Sequence, residues 1–234
     1  EFTIPVLGVQ GAGKSTLLNA LLMDDLILPV NADETTCIPT EIVYADQDSI
    51  EAAIVFNSDK PDLWVPCNSA GINPYVNNAE NPGNAKNVKL IRIRRNNELL
   101  KNGVTLVDLP GVGSLTQNNT DTTVKYLKAS EGAIILLRTV PPITQSESVF
   151  IQSTWPLMSK VFFIQNQWND ETQSEVEDGQ EHSLNVLKQI ADRCKLEKSV
   201  ISIDIVNIHQ AFASKMEKDV LGIDQSGITS IMTN

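Results

Sequence analysis

The residues with the plainest chemical purpose are Gly8-Val-Gln-Gly-Ala-Gly-Lys-Ser15. They match G-x-x-x-x-G-K-[ST], and each fixed type in that pattern answers a need of a bound polyphosphate. Gly8, Gly11 and Gly13 let the backbone curl, so that successive N–H groups around Ala12 converge on phosphate oxygens. Lys14 brings a point charge to the β- and γ-phosphates, Ser15 brings a hydroxyl to Mg²⁺, and Thr16 carries the cradle into the helix that follows. With no ligand, the same run would be only a glycine-rich turn between a strand and a helix.

A second group is Val104-Thr-Leu-Val-Asp108-Leu-Pro-Gly111. A carboxylate at the end of a buried strand is costly without a partner. Beside a phosphate loop that partner is Mg²⁺, usually through a water, and the N–H of Gly111 is free for the γ-phosphate. D-x-x-G alone is a weak match and often marks a turn; its place on an apolar strand after a phosphate loop makes it specific. Between the two groups lies Thr35-Thr36-Cys-Ile-Pro39-Thr40-Glu41. A threonine there can complete the Mg²⁺ shell and hold the attacking water only while the γ-phosphate is present. Thr36 is favoured for that switch, with Thr35 and Thr40 as alternatives.

The elements that must position these residues alternate between strand and helix patterns, which predicts an α/β fold with a mostly parallel sheet and helices on both faces. Strands are expected at Phe2 to Leu7, Glu41 to Tyr44, Ile50 to Phe56, Val88 to Arg94 (one face exposed), Val104 to Val107, Ala133 to Leu137, Val161 to Ile164 and Val200 to Val206. Helices are expected over Ser15 to Met23 and Gln145 to Thr154, and over a stripe of Leu184, Leu187, Ile190, Ala191 and Cys194 at helical spacing. Asn57 to Asn87, rich in Asn, Pro and Gly, reads as a surface excursion. Ser226-Gly227-Ile228 reads as the start of another helix, which predicts that the natural chain continues beyond Asn234.

Length and composition bound the rest. The 234 residues suffice for one sizeable domain spanning 1–234. No stretch approaches 18 consecutive apolar residues, and no signal peptide is visible. A formal net charge of −11 argues against non-specific binding to nucleic acid or anionic lipid. Six carboxylates between Asp170 and Glu181, with no Lys or Arg among them, read as a solvated loop leading into a helix. Cys37, Cys67 and Cys194 form no C-x-x-C pair, and His182 and His209 are the only histidines, so neither a structural zinc site nor a disulfide framework is expected. A reducing, cytoplasmic location fits that usage.

Taken together, GVQGAGKSTLLNALL at 8–22, TTCIPTEI at 35–42 and DLPGVGS at 108–114 resemble the dynamin superfamily, and within it the bacterial dynamin-like and mitofusin-like branch. PPITQSE at 141–147 resembles the P-x-T-x-x-E stretch that follows the fourth core strand in those proteins, and Asn166-Gln167-Trp168-Asn169 resembles their N-x-W-D base-recognition motif. The resemblance implies a Ras-like P-loop GTPase core, with six strands or slightly more, enlarged by insertions. It implies GTP as substrate, GDP as product, Mg²⁺ as cofactor, and a homodimer across the nucleotide faces. Membrane remodelling would reside in helical regions that follow the G domain, leaving this domain without nucleic-acid or direct membrane partners. Gln10 falls where dynamins place a glutamine that positions the attacking water. Gly11 stands where dynamin has a serine that helps bind a monovalent cation, a departure that weighs against such a cation here.

The base motif departs further. A carboxylate accepts from both N1 and N2 of guanine, whereas Asn169 stands at that position; Asp170 replaces it if the loop shifts by one residue, and otherwise the guanine site is weakened. Asn166 would reach the guanine N7 and tie its loop to the phosphate loop. Trp168 either covers the base or anchors the core, and Val206-Asn207 is expected to add a final base or ribose contact. No arginine is obviously placed as a charge-stabilising finger. A nucleotide-gated switch with slow hydrolysis, a defence-type large GTPase with a non-membrane partner, and a domain that turns over little are the competing functions.

Overall fold

The computed structural model describes residues 2–23, 27–28, 38–77, 79–110, 117–197 and 201–233, with backbone alone for 117–121 and 233. Its centre is β1 (Phe2–Leu7), whose side chains alternate between two apolar layers: Val6 joins one buried cluster and Leu7 the other. Around it runs one nine-stranded sheet in the order β4-β3-β5-β2-β6-β1-β7-β8-β9. The strands are β2 (Thr40–Tyr44), β3 (Glu51–Phe56), β4 (Leu63–Pro66), β5 (Val88–Arg95), β6 (Val104–Asp108), β7 (Gly132–Arg138), β8 (Lys160–Asn166) and β9 (Ile203–Val206). β6, β1, β7, β8 and β9 are parallel neighbours, while β2 runs antiparallel to β6 and carries β5 parallel to itself.

Six strands are thus too few. β3 pairs antiparallel with both β5 and β4, so the outer strands enlarge the parallel core. The expected surface excursion at Asn57 to Asn87 holds both β4 and a helix, α2 (Ser69–Val76). Proline hides β4, because Pro66 belongs to the strand and is tolerated only at a sheet edge, the position β4 occupies. Gly71 and Pro74 hide α2, yet Asn68 caps it by accepting from Gly71 N at 2.9 Å, and the buried Ile72 and Val76 anchor it. β5, expected as a half-exposed strand, lies inside the sheet between β3 and β2 and is mostly buried.

Helices cover both faces. α1 (Lys14–Leu22) and α6 (Ile208–Glu217) contribute to one apolar layer through Leu17, Leu18, Ile208 and Ala211. α4 (Gln145–Thr154) and α5 (Gln173–Cys194) contribute to the other through Ile151, Leu187, Ile190 and Ala191, with Leu184 and Cys194 partly covered. α3 (Gln117–Lys128) adds Leu127 to that second layer, and α7 (Val220–Gln225) and α8 (Ile228–Thr233) follow α6. The acidic run is mostly helix rather than loop. Thr172 and Glu175 form a reciprocal capping box at the start of α5, and carboxylates in a first turn are favoured by the helix dipole.

Candidate functional site

The site lies at the C-terminal ends of the parallel strands, where β1 passes into α1. Between them the backbone takes conformations that side chains resist. At Gly8 φ is +151°, and a Cβ would sit 2.9 Å from the Leu136 carbonyl oxygen on β7. At Gly13 φ is +99°, and a Cβ would sit 2.9 Å from Asn166 Nδ2 on β8. The loop is therefore pressed against both neighbouring strands, and glycine is what permits it. Ala12 is buried within this turn, Gln10 and Gly11 are exposed at its tip, and Thr16 is half-buried in the first turn of α1.

Lys14 starts α1 and turns back over the loop, its Nζ donating to the carbonyls of Gly8 at 3.3 Å and Val9 at 3.1 Å. An ammonium has three donors, so one remains for a phosphate oxygen. Burial pulls the Lys14 pKa down, and the nearby Asp108 carboxylate opposes that pull. Asp108 ends β6, buried; burial raises its pKa, against the charge of Lys14 and the hydroxyl of Ser15. Its Oδ2 accepts from Ser15 Oγ at 2.6 Å, while its Oδ1 is buried with no hydrogen-bond partner among the described residues. A hydroxyl and a carboxylate with an unspent oxygen are hard oxygen donors, the set Mg²⁺ prefers alongside substrate phosphates. Among the described residues no group of three or more His, Cys, Asp or Glu could hold an ion by itself.

A second cluster closes the far side. Asn166, at the end of β8, donates from Nδ2 to the Ala12 carbonyl at 3.1 Å and accepts at Oδ1 from Ile208 N at 3.2 Å. One amide thereby joins the phosphate loop, β8 and α6. Gln167 N donates to the Val206 carbonyl at 2.9 Å, holding the loop after β8 against the end of β9. Asn207 caps α6, its Oδ1 accepting from Gln210 N at 2.9 Å, and its Nδ2 donates to Asn169 Oδ1 at 2.6 Å. Asn169 and Asp170 are the central residues of a turn closed by Glu171 N to the Trp168 carbonyl at 3.2 Å. The turn brings Asn169 against Asn207, and leaves Asp170 exposed with no hydrogen bond to its side chain among the described residues. Trp168 is 40% exposed, so it is no core anchor.

A phosphate loop on a central strand, a buried strand-end carboxylate beside it and an asparagine cluster across from it are together one nucleotide-type site. The dynamin family model matches residues 4–168. This chain belongs to the dynamin family. Its fold is that of the family's G domain, and G domains of this family are in general GTPases. It is 30% identical over 226 residues to an uncharacterised protein of the xynA 3' region in Caldicellulosiruptor sp. (strain Rt8B.4), an alignment covering 96% of this chain and 53% of the relative. Dynamin-like protein 1 of Campylobacter jejuni is 29% identical over 184 residues, covering 64% of this chain and 25% of the relative. The chain thus spans about half the length or less of these curated relatives. In shape it matches a chain of an oligomerised bacterial dynamin pair, described as a mechanism for long-range sensing and tethering of membranes. That match has a TM-score of 0.74 and 21% identity, and covers all of this chain and 37% of the other.

In this dynamin-family G domain, Thr36 and Gly111, expected at the γ-phosphate, lie outside the described residues, as does Thr35. Thr40 is buried at the start of β2 and registers beside Asp108. The P-x-T-x-x-E stretch has a structural use: Thr144 and Glu147 form the capping box of α4. Sequence reasoning passed over Arg138, which ends β7 in register with Asn166 and reaches Glu147 at 3.5 Å while its buried Nε has no hydrogen-bond partner among the described residues. It also missed Ser226, whose carbonyl accepts from Asn207 N at 2.9 Å; the only signal was the helix start at Ser226-Gly227.

Proposed function

We propose that this chain binds Mg²⁺-GTP and hydrolyses it to GDP and phosphate, and that two copies dock across their nucleotide faces to do so. The observation that carries the reading is the Asp108 carboxylate, buried at a strand end beside Ser15 and Lys14 with one oxygen unspent. Burial disfavours the charged carboxylate, and a cation at the unspent oxygen would favour it again. Ser15 and Asp108 would hold Mg²⁺, with Thr36 joining them when the γ-phosphate is present. Bound there, the ion would supply positive charge that offsets the developing negative charge of the triphosphate.

The chain's own groups do the rest. N–H groups from Gly11 to Ser15 and the remaining Lys14 donor hold the phosphates; Gly111 N–H caps the γ-phosphate; Gln10, exposed at the loop tip, orients the attacking water. Asn166, Gln167, Asn169 and Asn207 border the base, and Trp168 lies over it. Membrane remodelling is assigned to regions outside this chain, by analogy with the membrane-tethering bacterial dynamin pair. No helix among the described residues is long and apolar enough to cross a membrane.

Calorimetric titration tests the central claim. GTP should bind only with Mg²⁺ present, and Lys14→Ala or Ser15→Asn should abolish that binding or the turnover that depends on it. No Mg²⁺-dependent binding of any nucleoside triphosphate by the unmutated protein overturns the reading.

A further inference from the structure

The strands that flank Asp108 carry an inference about what holds that carboxylate in place, resting on the nucleotide-binding reading above. Asp108 ends β6 with Val6 of β1 in register on one side and Thr40 of β2 on the other. The two flanks are unequal. β1 pairs with β6 along its whole length, from Phe2 beside Val104 to Val6 beside Asp108. β2 pairs with it only over Thr40 to Ile42, and that ladder ends at the pair that includes Asp108. A short ladder opens from its end, so the β2 side of the carboxylate is the less secure one.

Side chains supply what the ladder lacks. Ile42 is buried in the apolar layer to which α1 and α6 contribute, and Glu41, its neighbour on the strand, points to the opposite face. There both of its oxygens are taken. Oε1 accepts from Tyr126 OH of α3 at 2.8 Å, and Oε2 accepts from Arg92 of β5, from Nε at 3.1 Å and from a terminal nitrogen at 2.7 Å. The Glu41 side chain is only 15% exposed, so water does not freely replace a donor that is lost. α3 is itself fixed to the sheet by Leu127, fully buried beside Tyr126 in the chain. Glu41 thus fastens the start of β2 to two elements outside the ladder it shares with β6.

We propose that Glu41, held by Tyr126 and Arg92, is a positioning residue for the metal side of the site: it keeps the start of β2 against Asp108, and so keeps the carboxylate where Ser15 and Mg²⁺ can share it. None of the three residues touches the nucleotide in this scheme. The network therefore governs the part of nucleotide affinity that depends on Mg²⁺, and leaves the part that rests on Lys14 and the backbone of the phosphate loop. Removing one hydrogen bond from it should reduce the Mg²⁺-dependent part about three- to tenfold.

The experiment times the release of a fluorescent GDP analogue, loaded with Mg²⁺ onto the unmutated protein, Tyr126→Phe, Glu41→Gln and Tyr44→Phe. Each release is measured with Mg²⁺ kept and with EDTA added, and the ratio of the two rates isolates the contribution of the metal. Tyr44 closes the far end of β2, where its hydroxyl donates to Asp46 Oδ1 at 3.3 Å, so Tyr44→Phe removes the same group from the same strand away from the site. Tyr126→Phe and Glu41→Gln should speed release in Mg²⁺ about three- to tenfold and leave release in EDTA unchanged, so that the ratio shrinks. Tyr44→Phe should leave both rates as they are. A ratio in Tyr126→Phe equal to that of the unmutated protein, whether both rates hold or both rise together, overturns the inference and makes the network a structural one, while the nucleotide-binding reading stands. Should Glu41→Gln fail to fold, Tyr126→Phe, which loses a single hydroxyl, decides the matter alone. An unmutated protein that cannot be loaded with the analogue in Mg²⁺, and binds no nucleoside triphosphate, overturns the nucleotide-binding reading and this inference with it.

Discussion

Among single residues, Gly13 and Gln10 separate holding a nucleotide from turning it over. A methyl group at Gly13 meets two obstacles at once, a φ of +99° and an Asn166 Nδ2 that would lie 2.9 Å from the new Cβ. Either the loop or Asn166 must move, and Asn166 is what ties the loop to β8 and α6. Strain of this kind costs about 1–3 kcal/mol, so Gly13→Ala should weaken nucleotide affinity by roughly tenfold or more. The far-ultraviolet circular dichroism should stay native, because the change lies at the surface of a well-buried core. Gln10 has the opposite profile. It is exposed at the loop tip, and phosphate binding is proposed to rest on the backbone N–H groups and Lys14, so Gln10→Ala should leave the dissociation constant for GTP nearly unchanged. If it orients the attacking water, turnover should fall by about a hundredfold; a variant that turns over normally would assign the water to another group.

At the scale of elements, one network ties three of them together. Glu41 on β2 accepts from Tyr126 OH on α3 at 2.8 Å, and from Arg92 on β5 at 3.1 Å through Nε and 2.7 Å through a terminal nitrogen. Burial, then the Glu41 charge and hydrogen bond, push the Tyr126 phenol far above its ordinary range, so it stays a donor at any working pH. Tyr126→Phe should therefore cost about 0.5–1.5 kcal/mol, read as a lowered denaturant midpoint with an unchanged slope. This network also shows what could be read in the sequence. Gly8 to Ser15 and Asp108 were legible because local spacing alone determines their chemistry, and β1, α1, β6 and α4 were legible because apolar periodicity and caps agree. The Glu41–Arg92–Tyr126 contacts join residues 85 positions apart or fewer but on three separate elements, and no local pattern encodes them. β4 and α2 were illegible for a different reason: Pro66, Gly71 and Pro74 argue locally against the structures that tertiary packing of Val65, Ile72 and Val76 imposes.

The whole molecule poses an electrostatic question for any dimer. A chain of net charge −11 resists a second copy of itself, and the exposed carboxylates of the first turns of α5 stand just beyond the base loop, at the edge of the nucleotide face. Docking there would draw on apolar, local contact: Val140 after β7 and Trp168 after β8 are 58% and 40% exposed, two residues past the register pair Arg138 and Asn166. Repulsion between net charges is long-ranged and falls away within a Debye length of about 10 Å at 0.1 M salt, whereas apolar contact does not weaken with salt. Turnover per molecule should therefore rise with protein concentration, and at a fixed sub-saturating concentration it should rise again as salt increases from about 0.05 to 0.3 M. GDP with aluminium fluoride should drive the protein to a dimer in analytical ultracentrifugation, more completely at the higher salt. Trp168→Ala should weaken that dimer. A specific activity flat from nanomolar to tens of micromolar protein, with a monomer in the mimic-bound state at both salts, would make hydrolysis a property of the single domain and leave Gln10 and the switch loops to hold the water unaided.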